Sequence, residues 1–372
     1  MTRPEAKGWC PGAYRPMMSG DGLIVRVRPL VSRLSAEQVL GLCAAAERHG
    51  SGVIEVTGRA NVQLRGVREE THPPLLDELI ALGLLDSDPV LEHRRNIVVT
   101  PFSTQGDAAE AMALELTTRL EELPELPAKF GFAVDIAEVP AELSADITIT
   151  RTIGGRLLVL CAGAEGGIEV TRSNAIDTVV ALTHRFVETG GVAAKRMVHH
   201  VAQMGEVGTT PPRPSGQPPA IGDTPSGALI GLPFGQVTAA QLRELMELTK
   251  PAAIRTTPWR MLLLEGTPAR AVPGFITEPD DPLLRVDACP GAPFCTSATV
   301  ETRGLARRLA GRTTGTLHVS GCAKGCARPR PADVTLVGRD GRFDLVRGQR
   351  PWDAPERTGL TPGELDELFE TP

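Results

Sequence analysis

The sequence predicts an α+β protein built twice: two copies of a β-α-β-β unit, each followed by an α/β unit, paired about a pseudo-twofold axis. Three observations predict it. A strand-helix-strand-strand pattern recurs, with Gln38 matching Gln241 and Gly66 matching Gly266, offsets of 203 and 200 residues. A strand-turn-strand pattern follows each copy, once near residue 150 and again near 340. Between the copies lies a proline-rich stretch, 209–220, too polar and stiff to be core, which reads as a linker. A repeat this long does not form an array; two copies pair with each other.

Each element follows from local pattern. Gly22-Leu-Ile-Val-Arg-Val-Arg-Pro-Leu reads as a strand. A helix over 34–50 has Ser35 as N-cap and Gly50 at its end. Gly52-Val-Ile-Glu-Val-Thr and Asn61-Val-Gln-Leu-Arg-Gly66 read as the next two strands. In the second copy, Ala228-Leu-Ile-Gly-Leu-Pro-Phe-Gly precedes a helix starting near Val237, and strands follow over 253–266. Ala145-Asp-Ile-Thr-Ile-Thr-Arg-Thr-Ile-Gly-Gly-Arg-Leu resembles Ala332-Asp-Val-Thr-Leu-Val-Gly-Arg-Asp-Gly-Arg-Phe, both reading as strand, glycine turn, strand. Helices are expected before each hairpin, over 108–122 and 296–310. The expected units are 1–90 and 91–208, a linker at 209–224, then 225–275 and 276–372.

Composition narrows the function classes. A chain of 372 residues holds two or three domains, and 41% apolar with 23% charged residues is ordinary for a globular protein. The net charge of −6 does not suggest nucleic-acid binding. No stretch approaches a membrane span, and the first eight residues lack the apolar core of a signal peptide. The expectation is a cytoplasmic monomer whose seven cysteines serve as thiols and ligands. Basic residues are lopsided, 34 Arg against 5 Lys. Arginine grips carboxylates bidentately, which suits a polycarboxylate ligand, but a compositional bias that also favours Ala, Gly and Pro is the better account of the total, and each Arg position is argued separately.

Four cysteines carry the chemistry. Cys289-Pro-Gly-Ala-Pro-Phe-Cys295 and Gly321-Cys322-Ala-Lys-Gly-Cys326 give C-x5-C, a gap of 26 residues, then C-x3-C. Four thiolates from two loops suit a 4Fe–4S cluster, and small residues beside them let backbone N–H groups reach the sulfurs. A zinc ribbon favours paired C-x2-C knuckles, so structural zinc fits less well, as do unrelated buried thiols or disulfides. Cys43, on the apolar face of a helix, and Cys161, closing a strand, read as structural, as does Cys10 in an N-terminal loop.

This combination of halves and cysteine spacing resembles the sulfite and nitrite reductase family over about residues 10 to 345. The resemblance implies two ferredoxin-like half-domains bracketing a pocket, with sirohaem beside a 4Fe–4S cluster in the reductases. There Cys326 would bridge cluster and sirohaem iron. Thr57-Gly-Arg59-Ala-Asn-Val-Gln63 resembles the family's T-x-R-x-x-x-Q segment, which implies a pocket-facing Arg59. Gln63 lies four residues on along the same strand, an even alternation that puts it on the same face. Arg94-Arg95-Asn96 resembles its R-N segment and implies a second such arginine at Arg95. Leu126-Pro-Ala-Lys129-Phe-Gly131 resembles L-P-R-K-F-K, with Lys129 kept and the second lysine replaced by Gly131, leaving space. One cation fewer weakens the case for a small oxyanion substrate. In the second copy Arg255, Trp259 and Arg260 are the matching candidates.

The opening Gly8-Trp-Cys10-Pro-Gly-Ala and Ile54-Glu-Val-Thr-Gly-Arg-Ala-Asn-Val-Gln-Leu-Arg-Gly66 resemble one subgroup, the precorrin-3B synthases. That resemblance implies oxygen-dependent hydroxylation of precorrin-3A in aerobic cobalamin biosynthesis. It also implies a 4Fe–4S cluster, a separate mononuclear non-haem iron, molecular oxygen and an external electron donor. No G-x-G-x-x-G dinucleotide fingerprint follows a strand, so NADH electrons are expected through a reductase or ferredoxin partner. Sirohaem belongs only to the alternative, sulfite or nitrite reduction. No residue is singled out as catalytic. For the second iron, His199 or His200 with Glu206 is the one set considered, yet adjacent histidines do not face each other. His93, His184 and His318 carry no ligand signature.

Overall fold

The computed structural model describes Pro4 and residues 11–370. The two ferredoxin-like halves form two five-stranded sheets of matching order. The first runs Met17–Ser19, Gly22–Val27, Val62–Val67, Val53–Val56, Gln236–Thr238. The second runs Gly222–Thr224, Gly227–Gly231, Met261–Glu265, Ala253–Thr256, Arg33–Ser35. The last strand of each sheet comes from the other half. Leu34 pairs with Ile254, and Val237 pairs with Ile54, both antiparallel.

Backbone geometry makes this exchange possible. Just before each exchanged strand the chain adopts positive φ, at Val31 and Ser32 (49° and 58°) and at Phe234 and Gly235 (58° and 74°). Each exchanged strand then runs straight into a helix. Ser35 caps Ala36–His49 and Thr238 caps Ala239–Thr249, each in a capping box with the glutamine three residues on, Gln38 or Gln241. A cap of this kind is worth about 1 kcal/mol. The two helices pack on each other, and one core crosses the pseudo-axis, joining Val39, Leu42, Ile54 and Leu64 to Leu242, Leu245, Ile254 and Leu264.

The two α/β units also share one sheet order. In the first, Ile97–Val99, Phe132–Val134 and Ile147–Arg151 are parallel neighbours, and Leu157–Cys161 and Ile168–Val170 add antiparallel. In the second, Val286–Ala288, Leu317–Ser320 and Val334–Arg339 are parallel, and Arg342–Arg347 and Arg357–Leu360 add antiparallel. The helix expected over 296–310 is shorter, Arg303–Leu309. Residues before it are held as a loop, because the Thr302 hydroxyl donates to the Cys289 carbonyl at 2.5 Å. The proline-rich stretch is docked: Thr210 bridges Gly167, Pro212 bridges Thr152, and the Arg213 N–H donates to Arg151 O. Among the described residues, no helix is long and apolar enough to cross a membrane.

On their polar faces the two half-sheets carry ion pairs of opposite sign at matching positions. In the first, Glu55 lies opposite Gln63, and Arg65 reaches Glu55 at 3.3 Å. In the second, Arg255 lies opposite Leu263 and reaches Glu265 at 2.5 Å. Offsets of 200 thus exchange acid for base. Arg33, on the exchanged strand, adds a second cation to Glu265 at 2.9 Å.

Glu265→Gln is expected to cost about 3 kcal/mol at neutral pH, because it leaves Arg255, fully buried, without its counter-charge. Burial pushes the Glu265 carboxyl up, but the hydrogen bond from Arg33 and the charge of Arg255 outweigh this and hold it below the ordinary 4.5. The wild-type advantage is therefore complete above pH 4.5 and is lost as pH falls through the lower folded-state value. Urea midpoints of both proteins, measured from neutral pH downward, check this; a gap that does not narrow in acid contradicts it.

Candidate active site

The four cysteines sit where an open α/β sheet builds sites, beyond the carboxyl ends of adjacent parallel strands. Cys289 follows Val286–Ala288, and Cys322 follows Leu317–Ser320. The Cys289 N–H still continues the ladder to Val319 O at 3.3 Å. Cys289 is buried, Cys295 and Cys322 are half-buried, and Cys326 is exposed. Burial pushes the Cys289 thiol up; N–H groups of Gly321 and Gly291 pull it back, and Cys295 and Cys322 push it up again. The Gly321 N–H donates to Cys289 Sγ at 3.1 Å.

A soft donor set with N–H groups aimed at sulfur fits an iron–sulfur cluster. Among the described residues, no three His, Cys, Asp or Glu side chains converge on a single metal ion. A cubane takes one thiolate per iron, so its ligands surround the cluster instead of converging on one point. Cys43 and Cys161 lie in apolar cores, and burial pushes both thiols up to about 12, so neither is a thiolate at neutral pH. Cys10 lies outside the described residues.

Both cysteine loops are fastened from outside their own unit. The Phe294 carbonyl, next to Cys295, accepts from Ser19 Oγ at 2.6 Å, Gly20 N at 3.2 Å and Arg65 Nη2 at 3.1 Å. Arg65 is itself held by Asp21 at 2.8 Å. The Ala327 carbonyl, next to Cys326, accepts from Arg260 Nη2 at 3.0 Å. Arg260 also pairs with Asp287 at 3.0 Å, and Arg328 reaches the other oxygen of that carboxylate at 3.1 Å. Arg65 was not singled out from the sequence, though its place two residues after Gln63 on one strand face was a usable signal. Arg303 joins this face through Glu55 at 2.8 Å.

The three segments that carry the expected substrate residues meet. Arg59 Nη1 donates to Lys129 O at 2.8 Å, and Asn96 Nδ2 donates to Phe130 O at 3.1 Å. Arg59 is half-buried and Lys129 exposed. Gln63 pairs in register with Arg26 and Glu55 on the polar face. Arg95, in contrast, is buried against Glu92 at 2.7 Å and donates to Leu84 O, and Arg28 completes the cluster at 2.8 Å from Glu92. Arg255 is tied to Glu265, and Arg260 to the cysteine loop. Trp259 lies 6.2 Å from Phe102 between ring centroids, tilted by 31°.

The space expected at Gly131 is absent. A Cβ there would lie 2.3 Å from Asn96 Nδ2, so glycine is what admits the asparagine side chain. Among the described residues, the histidines do not converge on a common point. His200 is buried, bonded to Thr189 at 2.8 Å and edge-on to Phe186, while His199 and Glu206 are exposed. His93 and His184 meet backbone carbonyls of Leu126 and Glu122. Burial pushes His318 down to about 4, which keeps it neutral.

Comparison with known proteins agrees with this architecture. Residues 15–82 match the nitrite/sulfite reductase ferredoxin-like half domain. A precorrin-3B synthase from Sinorhizobium sp. is 30% identical, the match covering 91% of this chain and 82% of that protein. A ferredoxin–nitrite reductase from Synechococcus elongatus is 25% identical, covering 91% and 81%. The solved structure of the Mycobacterium tuberculosis NirA protein superposes with a TM-score of 0.63 at 19% identity, covering 94% of this chain and 79% of that one, which supports the fold. On the strength of the Sinorhizobium relative, the chain belongs to the precorrin-3B synthase family, which shares its ferredoxin-like half-domain with nitrite and sulfite reductases.

Proposed function

We propose that this chain is a monooxygenase that hydroxylates precorrin-3A to precorrin-3B with molecular oxygen in aerobic cobalamin biosynthesis. The likeness to the Sinorhizobium precorrin-3B synthase over nine-tenths of the chain carries the reading. One oxygen atom enters the macrocycle and the other leaves as water, which takes two electrons and two protons. An external donor, NADH through a reductase or a ferredoxin, supplies the electrons. Cys289, Cys295, Cys322 and Cys326 would hold a 4Fe–4S cluster, which when bound passes electrons one at a time. A mononuclear non-haem iron belongs to the proposal without assigned ligands.

The chain's own residues bind and orient. Precorrin-3A carries several carboxylates, and Arg59 and Lys129 supply cations where the three segments meet, with Gln63 on the neighbouring polar face. Holding the ring at several carboxylates decides which carbon meets the oxidant. The alternative, sirohaem-dependent sulfite or nitrite reduction, asks for several uncommitted cations around one small anion. Arg95 is spent on Glu92, Arg255 on Glu265, and Gly131 is closed by Asn96, which favours the macrocycle.

The direct test is incubation of the anaerobically purified protein with precorrin-3A, a reductant and isotopically heavy oxygen. One heavy oxygen atom in the product is expected, and product whose new oxygen comes from water overturns the reading. Arg59→Ala should weaken precorrin-3A binding about tenfold, as expected for losing one charge-assisted hydrogen bond. Its iron and sulfide content should match wild type. Equal loss of binding and cluster would make Arg59 a structural residue.

A further inference from the structure

We propose that each ferredoxin-like half positions one of the two cysteine loops through one arginine, Arg65 for the Cys295 loop and Arg260 for the Cys326 loop. The inference rests on the reading that these cysteines hold the cluster. It reassigns Arg260 from the substrate to the cluster loop.

The geometry is specific to the carbonyls that flank the ligands. Phe294 O, one residue before Cys295, takes three donors, all from the first half: Ser19 Oγ, Gly20 N and Arg65 Nη2. A carbonyl has two lone pairs, so this oxygen is saturated and its peptide has little freedom to rotate. The approach is so close that a Cβ on Gly20 would lie 2.0 Å from Pro293 O. Ala327 O, one residue after Cys326, takes Arg260 Nη2 from the second half. The same guanidinium holds Asp287, two residues before Cys289, and Arg328 grips that carboxylate from the Cys326 side. One fork therefore ties the segments before Cys289 and after Cys326 to each other and to the second half.

Backbone conformation supports a dedicated role for Arg260. It sits at φ 61°, a left-handed conformation that a side chain of this size rarely adopts. Ala60, its counterpart 200 residues earlier, shares the conformation at φ 55° without a guanidinium. The turn is thus common to both halves, and the side chain is what the second half adds. Because the halves share one core, the loops are referred to one rigid body, which fixes the spacing of the four sulfurs.

The test uses the cluster-loaded full chain. Arg65→Gln would strand Asp21 and leave Glu55 only Arg303, which threatens folding, so the charge-keeping Arg65→Lys tests the first clamp and Arg260→Lys the second. Lysine keeps the charge but cannot span two acceptors as a planar fork does. Each variant should release iron to a chelator about tenfold faster than wild type, the change expected from losing one hydrogen bond donated by a charged group. The electron paramagnetic resonance spectrum of the reduced cluster should change shape in both. Arg243→Ala, which breaks a surface pair with Glu47 on the packed helices, should release iron at the wild-type rate. Wild-type release and an unchanged spectrum in both clamp variants would overturn the proposal. A wild-type chain that holds no iron and sulfide after anaerobic purification would overturn the ligand reading, and the clamps with it.

Discussion

Two three-residue strands hold this architecture together. Arg33–Ser35 leaves the first half to complete the second half's sheet, and Gln236–Thr238 does the reverse. Each sheet thereby gains an edge strand that its own half does not supply, and each helix starts at the end of a strand that belongs to the other half's sheet. An exchanged strand is short and adds few hydrogen bonds. Its effect lies in forcing the capped helices Ala36–His49 and Ala239–Thr249 into one shared core. Separating the halves would expose that core, so the two behave as one body.

A rigid frame with approximate symmetry is a scaffold on which asymmetry can be useful. The α/β units repeat strand for strand, yet among the described residues only the second carries cysteines just beyond its parallel strands, whereas Cys161 of the first ends an antiparallel one. At the matching point of the first unit, Val134 is followed by Asp135, which is buried and accepts the Ala141 N–H at 2.6 Å. Burial pushes its carboxyl up. The same division appears in the half-domains. Arg65 with Glu55 in one becomes Glu265 with Arg255 in the other, so one arginine meets the cysteine loop while the other is sealed inside. At the central turns, Thr57 matches Thr257, which sets Arg59 against Trp259 and Ala60 against Arg260. The frame is repeated, and single side chains divide the work between its copies.

Much of this was legible in the sequence because the signals are local. Ser35 marks the first helix start by side-chain chemistry alone, the match of Gln38 to Gln241 marks the repeat, and the cysteine spacing singles out two loops as candidate ligand loops without any fold. The exchanged strands were not legible, since three residues carry no periodicity and their partners lie about 200 residues away. Arg95 was assigned to the substrate by resemblance; the acid that neutralises it, Glu92, stands only three residues earlier. Gly131 read as empty space because a missing side chain says nothing about what fills its place. Asn96 fills it, and only three-dimensional packing reveals that. Arg65 lay in plain view two residues beyond Gln63, but its target, Phe294 O, is a backbone atom, to which sequence patterns are blind.

The central claim is that this frame, in a chain of the precorrin-3B synthase family, uses an iron–sulfur cluster to act on a tetrapyrrole brought in as substrate. The most direct measurement is the absorption spectrum of protein purified anaerobically from cells able to make sirohaem, with extractable tetrapyrrole assayed alongside. A broad iron–sulfur absorption with no extractable tetrapyrrole is the predicted result. Sharp haem-type bands with extractable sirohaem would contradict the account and make the chain a sulfite or nitrite reductase.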